Sequence, residues 1–148
     1  MLGDLATSRN RTALALVIST VIVLGLASRK FALSLPGFVA ANAGDALWTV
    51  AVFVTFAFCR PQTNSVLLGI AAFAMSVAVE LSQLIEADWI GAIRGTLPGR
   101  LLLGSGFLWI DLVRYLVGAC AATVMDWVWT RKISDRQVRS RSFAREKG

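Results

Sequence analysis

The chain has 148 residues, of which 56% are hydrophobic and 16% are charged, and its net charge is +6. Soluble domains are about 45–50% apolar and about 25% charged, so an ordinary soluble domain is excluded. The absence of histidine excludes His-based catalytic triads and His-ligated metal sites. Cys59 and Cys120 lie in apolar runs without the spacing of a metal site or disulfide, so we expect no metal or other cofactor.

Four apolar runs predict an all-α integral membrane bundle, because each is close to the about 17–25 residues that cross a bilayer. All three prolines fall in the connections between these runs, as uninterrupted helices require. We expect one transmembrane domain over residues 1–130 and a basic cytoplasmic tail over residues 131–148. The predicted helices cover about residues 12–28, 43–59, 65–85 and 107–129.

The first run has a second interpretation as a cleaved signal peptide, because small residues precede Arg29. We favour a retained helix, since the run is long for a signal core and further spans follow. The tight connection 60–64 predicts antiparallel neighbours. The longer connections 29–44 and 86–106 contain apolar residues, which favours interfacial or re-entrant segments. Asp88 could cap a short helix that runs to Arg94.

Basic residues are unequally divided between the two predicted sides of the membrane. Arg9, Arg11, Arg60 and seven tail residues lie on the side of the termini, against Arg29, Lys30, Arg94 and Arg100 on the other. The positive-inside rule therefore predicts cytoplasmic termini. A basic tail alone could contact nucleic acid, but beside a membrane it is more simply a topology signal, so we expect no nucleic-acid partner.

Two polar groups interrupt the third and fourth apolar runs. Glu80 and Gln83 are one turn apart on one helix face, and Asp111, Arg114 and Tyr115 share a face of the next helix. The predicted orientation puts both groups at similar depth in the outer half of the membrane. Burying ionisable groups at this depth costs free energy, so they indicate a functional site. The simpler alternative is that they only hold neighbouring helices together.

The pairing of these charges has two interpretations. Asp111 and Arg114 could neutralise each other locally, which leaves Glu80 to pair with Arg94 or Arg29. Alternatively, Arg114 bridges Glu80 and Asp111, and a second arginine is left to receive an anion such as a lipid phosphate. The candidate ligand-binding residues are Arg29, Asp45, Trp48, Glu80, Gln83, Arg94, Asp111, Arg114 and Tyr115.

Several stretches together resemble the bacterial membrane family catalogued as domain of unknown function 2809. They are Gly25–Arg29, Gly44–Trp48, Glu80–Leu84, Arg94–Thr96 with Trp89, and Leu102–Tyr115 with Gly118. More distantly, the pattern of Glu80, Gln83, Asp111 and Gly118 is similar to VanZ-like membrane proteins, where an asparagine often stands in place of Tyr115. VanZ-like proteins are associated with low-level resistance to glycopeptide antibiotics such as teicoplanin, so this resemblance implies a cell-envelope role.

We therefore expect a multi-pass protein of the bacterial cytoplasmic membrane that binds or handles an anionic lipid or a lipid-linked envelope precursor. A membrane enzyme is the second hypothesis, with Glu80 or Asp111 as general base and Arg94 or Arg114 holding a phosphate. A structural or partner-binding subunit is the third. The oligomeric state is left open.

The orientation is directly testable. Reporter fusions at Gly148 should give cytoplasmic signals, and fusions in the connection 29–44 should give signals from the opposite side, because the basic residues are concentrated beside the termini. A cytoplasmic signal from the 29–44 connection would reverse the predicted orientation.

Overall fold

The computed structural model describes residues 9–82, 84, 88–96, 98–99 and 108–146, with side chains described except at 88–90, 94 and 134–146. These residues form helices and contain no strand. The elements in chain order are α1 (Arg11–Lys30), a 3-10 turn (Ala32–Ser34), α2 (Gly37–Cys59), α3 (Ser65–Ser82), α4 (Asp88–Gly95) and α5 (Trp109–Glu146).

Four helices in the described part of the chain are long and apolar enough to cross a membrane, which confirms the predicted number of spans. They are α1, α2, α3 and the Trp109–Ile133 part of α5. Many of their large apolar side chains point outward; Leu16 is 67% exposed and Met125 is 73% exposed. Apolar surface of this extent is stable when hydrocarbon surrounds the bundle.

Two helices extend beyond their predicted bounds. α2 begins at Gly37 rather than at residue 43, because Pro36 holds the extended backbone just before the helix and no later residue of that segment breaks it. The backbone of α5 stays helical to Glu146, past the predicted end at residue 129, because neither Gly nor Pro occurs between Gly118 and Glu146.

The connections also have structure. The short helix expected after Asp88 is present as α4. Asn10 caps α1 by accepting hydrogen bonds from the backbone N–H groups of Thr12 and Ala13, and Asn64 accepts one from Val66 N at 2.7 Å at the start of α3. These caps fix where two spans begin. Residue 85, the predicted end of the third helix, lies outside the described residues, as does residue 107, the predicted start of the fourth.

The packing is centred on α2, which contacts α1, α3 and α5, while α3 also packs against α5. Phe53 of α2 and Leu68 of α3 are the largest members of the apolar core. Glycines allow close approach at two crossings. A Cβ atom at Gly118 would lie 2.4 Å from the carbonyl oxygen of Ala46, and one at Gly69 would lie 2.0 Å from Thr123 Oγ1.

The antiparallel arrangement gives the bundle two ends. We call the end that contains Lys30, Asp45 and Asp111 the Asp45 end, and the opposite end, which contains Ser65 and Asp126, the Asp126 end. Contacts between helices at both ends follow this arrangement: Arg114 bonds Asp45 at one end and Ser65 bonds Asp126 at the other.

Candidate functional site

A charged cluster at the Asp45 end joins α2 to α5. We call it the Arg114 cluster; its members are Asn42, Asp45, Asp111 and Arg114. Arg114 Nη1 donates to Asp45 Oδ2 at 3.1 Å and also to Asp111 Oδ1, while its Nε donates to Asn42 Oδ1 at 2.8 Å. The Arg114 side chain is 17% exposed. One largely buried cation therefore compensates two carboxylates from different helices.

Arg114 does bridge two carboxylates, but one of them differs from the predicted pair. Of the two pairings left open by the sequence, the local Asp111–Arg114 pair is present, whereas the bridge runs from Asp111 to Asp45 and not to Glu80. The difference arises because α2 begins before Asn42, so that Asn42 and Asp45 lie three residues apart on one helical face turned toward α5. Asp45, which the predicted start at residue 43 would put in the first turn of its helix, therefore lies more than two turns inside α2.

Glu80 is fully buried between α3 and α5. Its Oε2 accepts a hydrogen bond from Tyr115 OH at 2.8 Å, and its Oε1 accepts one from the backbone N–H of Leu108 at 2.9 Å. Tyr115 is itself 6% exposed. Both carboxylate oxygens are thus satisfied by the bundle, so a substrate would have to displace existing contacts before Glu80 could act as a base.

Arg29 stands at the margin of the Arg114 cluster. Its Nη2 lies 3.4 Å from Asp45 Oδ1, and its side chain is 47% exposed. The side chain crosses Gly44, where an added Cβ would lie 3.1 Å from Arg29 Nε. A guanidinium has five N–H donors, and within the described residues only this long contact engages those of Arg29. Most of the N–H donors of Arg29 are therefore not engaged by the described residues.

An apolar groove runs from Arg29 along α2 as far as Phe56. It has a volume of about 660 Å³ and is lined by α1, α2, α3 and Pro98. Trp48, which the sequence groups with the charged residues, lines this groove. Gln83 and the side chain of Arg94, the two other predicted ligand-binding residues, lie outside the described residues.

A second ion pair, at the Asp126 end, was not predicted. Arg9 Nη2 lies 2.6 Å from Asp126 Oδ2, and Arg9 Nε donates to Asp126 Oδ1 at 2.8 Å. Arg9 Nη1 donates to the carbonyl oxygens of Pro61 and Thr63, and Ser65 Oγ donates to Asp126. The sequence analysis assigns Arg9 only to the topology signal. The available signal was that Asp126 and Ser65 are polar at the same predicted depth.

The arrangement combines four spans with polar residues on α2, α3 and α5, and the region that holds them is the one shared with a known family. The chain belongs to the family described as Protein of unknown function (DUF2809). The family model matches residues 34–119, from the 3-10 turn to the first part of α5. The DUF2809 match includes the Arg114 cluster, Glu80 and Tyr115, whereas Arg29 and the Arg9–Asp126 pair lie outside it. No solved structure matches the chain.

The Glu80–Tyr115 contact of this DUF2809 protein leads to a stability prediction. Tyr115→Phe should lower the free energy of unfolding by about 1–3 kcal/mol, because Glu80 Oε2 loses a donor inside the bundle. Chemical unfolding in detergent measures the loss. Thr20→Val is the control, because it removes an exposed hydroxyl that bonds only its own helix. Equal stability of Tyr115→Phe and the wild type would show that this hydrogen bond contributes nothing.

The Arg9–Asp126 pair leads to a second stability prediction. Arg9→Met replaces the arginine with an unbranched apolar side chain. The carboxylate of Asp126, whose side chain is 13% exposed, then loses its ion-pair partner. We expect a loss of about 3–5 kcal/mol, the range for breaking a buried pair from one side. Arg11→Met removes the same charge two residues away from an exposed position and should have little effect. Similar unfolding midpoints for the two variants would contradict a specific role for Arg9.

Proposed function

We propose that this protein is a small integral membrane protein of the bacterial cell envelope whose Asp45 end binds the phosphate of an anionic lipid or of a lipid-linked envelope precursor. The positive-inside rule places this end on the outer side of the cytoplasmic membrane. The resemblance to VanZ-like proteins supports an envelope role. The observation that carries the proposal is the contrast between Arg114 and Arg29 at this end of the bundle.

Arg114 is committed to the bundle. It supplies the positive charge that Asp45 and Asp111 need in a low-dielectric environment, and Asn42 holds its Nε. If a ligand removed Arg114 from this arrangement, it would leave two carboxylates uncompensated, which is costly. Arg114 is thus a structural cation that positions the surrounding helices.

Arg29 is free of this constraint. Because Arg114 already compensates Asp45, the long contact between Arg29 and Asp45 adds little stability at an exposed position. A guanidinium donates two parallel hydrogen bonds to a phosphate. At this depth, a lipid headgroup supplies the phosphate. The exposed Lys30 is adjacent and raises the local positive potential. Recognition of a phosphate therefore needs no rearrangement of the Arg114 cluster.

We expect Arg29→Gln to remove the selectivity for anionic lipid while leaving the empty protein stable. In detergent, phosphatidylglycerol should raise the unfolding temperature of the wild type more than phosphatidylcholine does. That difference should shrink in Arg29→Gln. Without lipid, the variant should lie within about 1 kcal/mol of the wild type, since an exposed ion pair is lost.

Lys30→Gln is the matched control, because it removes the same charge from the neighbouring residue, whose ammonium lies 5.6 Å from the ring of Phe31. It should keep most of the phosphatidylglycerol effect. If both variants lose the effect equally, the selectivity is a general property of the surface charge. If neither loses it, Arg29 does not bind the headgroup.

A further inference from the structure

The groove beside Arg29 has the shape of a site for one extended chain. α2 contributes the largest share of its lining, from Gly44 to Phe56, and further lining comes from α1 and from Met75 and Val79 of α3. Apart from Arg29 and Thr55, the lining side chains in the described part of the chain are apolar. Its volume of about 660 Å³ lies within the range of about 300–1,000 Å³ that is usual for ligand pockets.

The length of the groove corresponds to one leaflet. At about 1.5 Å per residue, the segment from Gly44 to Phe56 extends about 18 Å along α2. The hydrocarbon core of a bilayer is about 30 Å thick, so one leaflet accounts for about 15 Å. Arg29 and Gly44 lie together at one end of the groove, and the lining on α2 extends from there to Phe56, three residues before the helix ends at Cys59.

The shape and lining of the groove suit a lipid chain. The groove is a long channel with an apolar lining contributed by three helices. Small residues open this space: at Gly25, an added Cβ would have its nearest neighbour, Leu47 Cβ, at 3.9 Å. An extended acyl chain, a single file of methylene groups, matches such a channel.

The charge at the end of the groove identifies the class of lipid. A lipid whose acyl chain fills the groove has its headgroup beside Arg29. Arg29 is half-exposed, and most of its N–H donors are not engaged by the described residues. We propose that the groove holds one acyl chain of an anionic phospholipid from the leaflet at the Asp45 end, with the lipid phosphate on Arg29. This inference rests on the proposed function and adds where the chain lies and which helices hold it.

Trp48 provides a local probe, because it lines the groove. The full-length protein is prepared with Trp48 as its one tryptophan, the others being replaced by Phe. It is reconstituted in vesicles that contain brominated phosphatidylglycerol or brominated phosphatidylcholine, whose bromines quench tryptophan fluorescence on contact. We expect the association constant from quenching to be about tenfold higher for phosphatidylglycerol, as a difference of about 1.4 kcal/mol gives.

Two substitutions distinguish binding of the acyl chain from recognition of the headgroup. Ala51→Phe fills the groove and should reduce quenching by both lipids. Arg29→Gln should preserve quenching but make the two lipids equivalent. Ala121→Phe is the control for added bulk, because Ala121 is exposed on α5 outside the groove, and it should behave like the parent protein. Gly25→Leu fills the groove from α1 and replaces Ala51→Phe if that variant does not fold.

The outcomes test the acyl-chain site in the groove and the headgroup site at Arg29 separately. If the groove-filling variants quench like the parent and still prefer phosphatidylglycerol, no chain occupies the groove, although the headgroup site at Arg29 stands. If Arg29→Gln keeps the preference, the phosphate is not on Arg29 and the proposed function fails with it. If cross-linking through the groove captures a second copy of the chain in place of lipid, the groove is a protein interface and the inference is overturned.

Discussion

Charge in an apolar bundle needs a partner from another helix, and this need specifies how the spans are arranged. Apolar contacts discriminate poorly here, because lipid tails offer a helix the same environment as a neighbouring apolar face. The polar contacts are specific: Tyr115 on Glu80 joins α5 to α3, and Arg114 on Asp45 joins α5 to α2. The ion pair of Arg9 with Asp126 joins the segment before α1 to α5 at the opposite end. An incorrect pairing of helices would leave one of these carboxylates unpaired in hydrocarbon.

These pairs form only because small residues let the helix axes approach. Gly118 lies one turn from Arg114 and packs against the backbone at Ala46, beside Asp45. A side chain there would push α5 away from α2 and lengthen the Arg114–Asp45 contact. Gly69 has the same role between α3 and α5, on the buried face that continues through Ser76 to Glu80. The glycines and the ion pairs therefore depend on each other.

The sequence alone predicted the four spans and the shared depth of the charged residues, because hydropathy and the helical rise determine both. It did not predict which carboxylate Arg114 would meet. That choice depends on how each helix is rotated about its axis, and a helix face turns by about 100° from one residue to the next. Asn42 was missed because it fell in a predicted connection. Arg9 was missed because residues outside the apolar runs were considered as topology signals and not as packing partners.

Stability and the proposed binding are located in different places. The committed ions, Arg9, Arg114 and their carboxylates, hold the bundle together, and a ligand that engaged them would weaken the fold. α1, in contrast, packs against α2 and buries only Val21 and Ser28. A shift of this peripheral helix would leave the contacts of Arg114 with Asp45 and of Tyr115 with Glu80 in place, because these join α5 to α2 and α3. On the proposed function, the lipid therefore enters where α1 forms one wall of the groove, and Arg29, carried on that same helix, follows the wall as it moves.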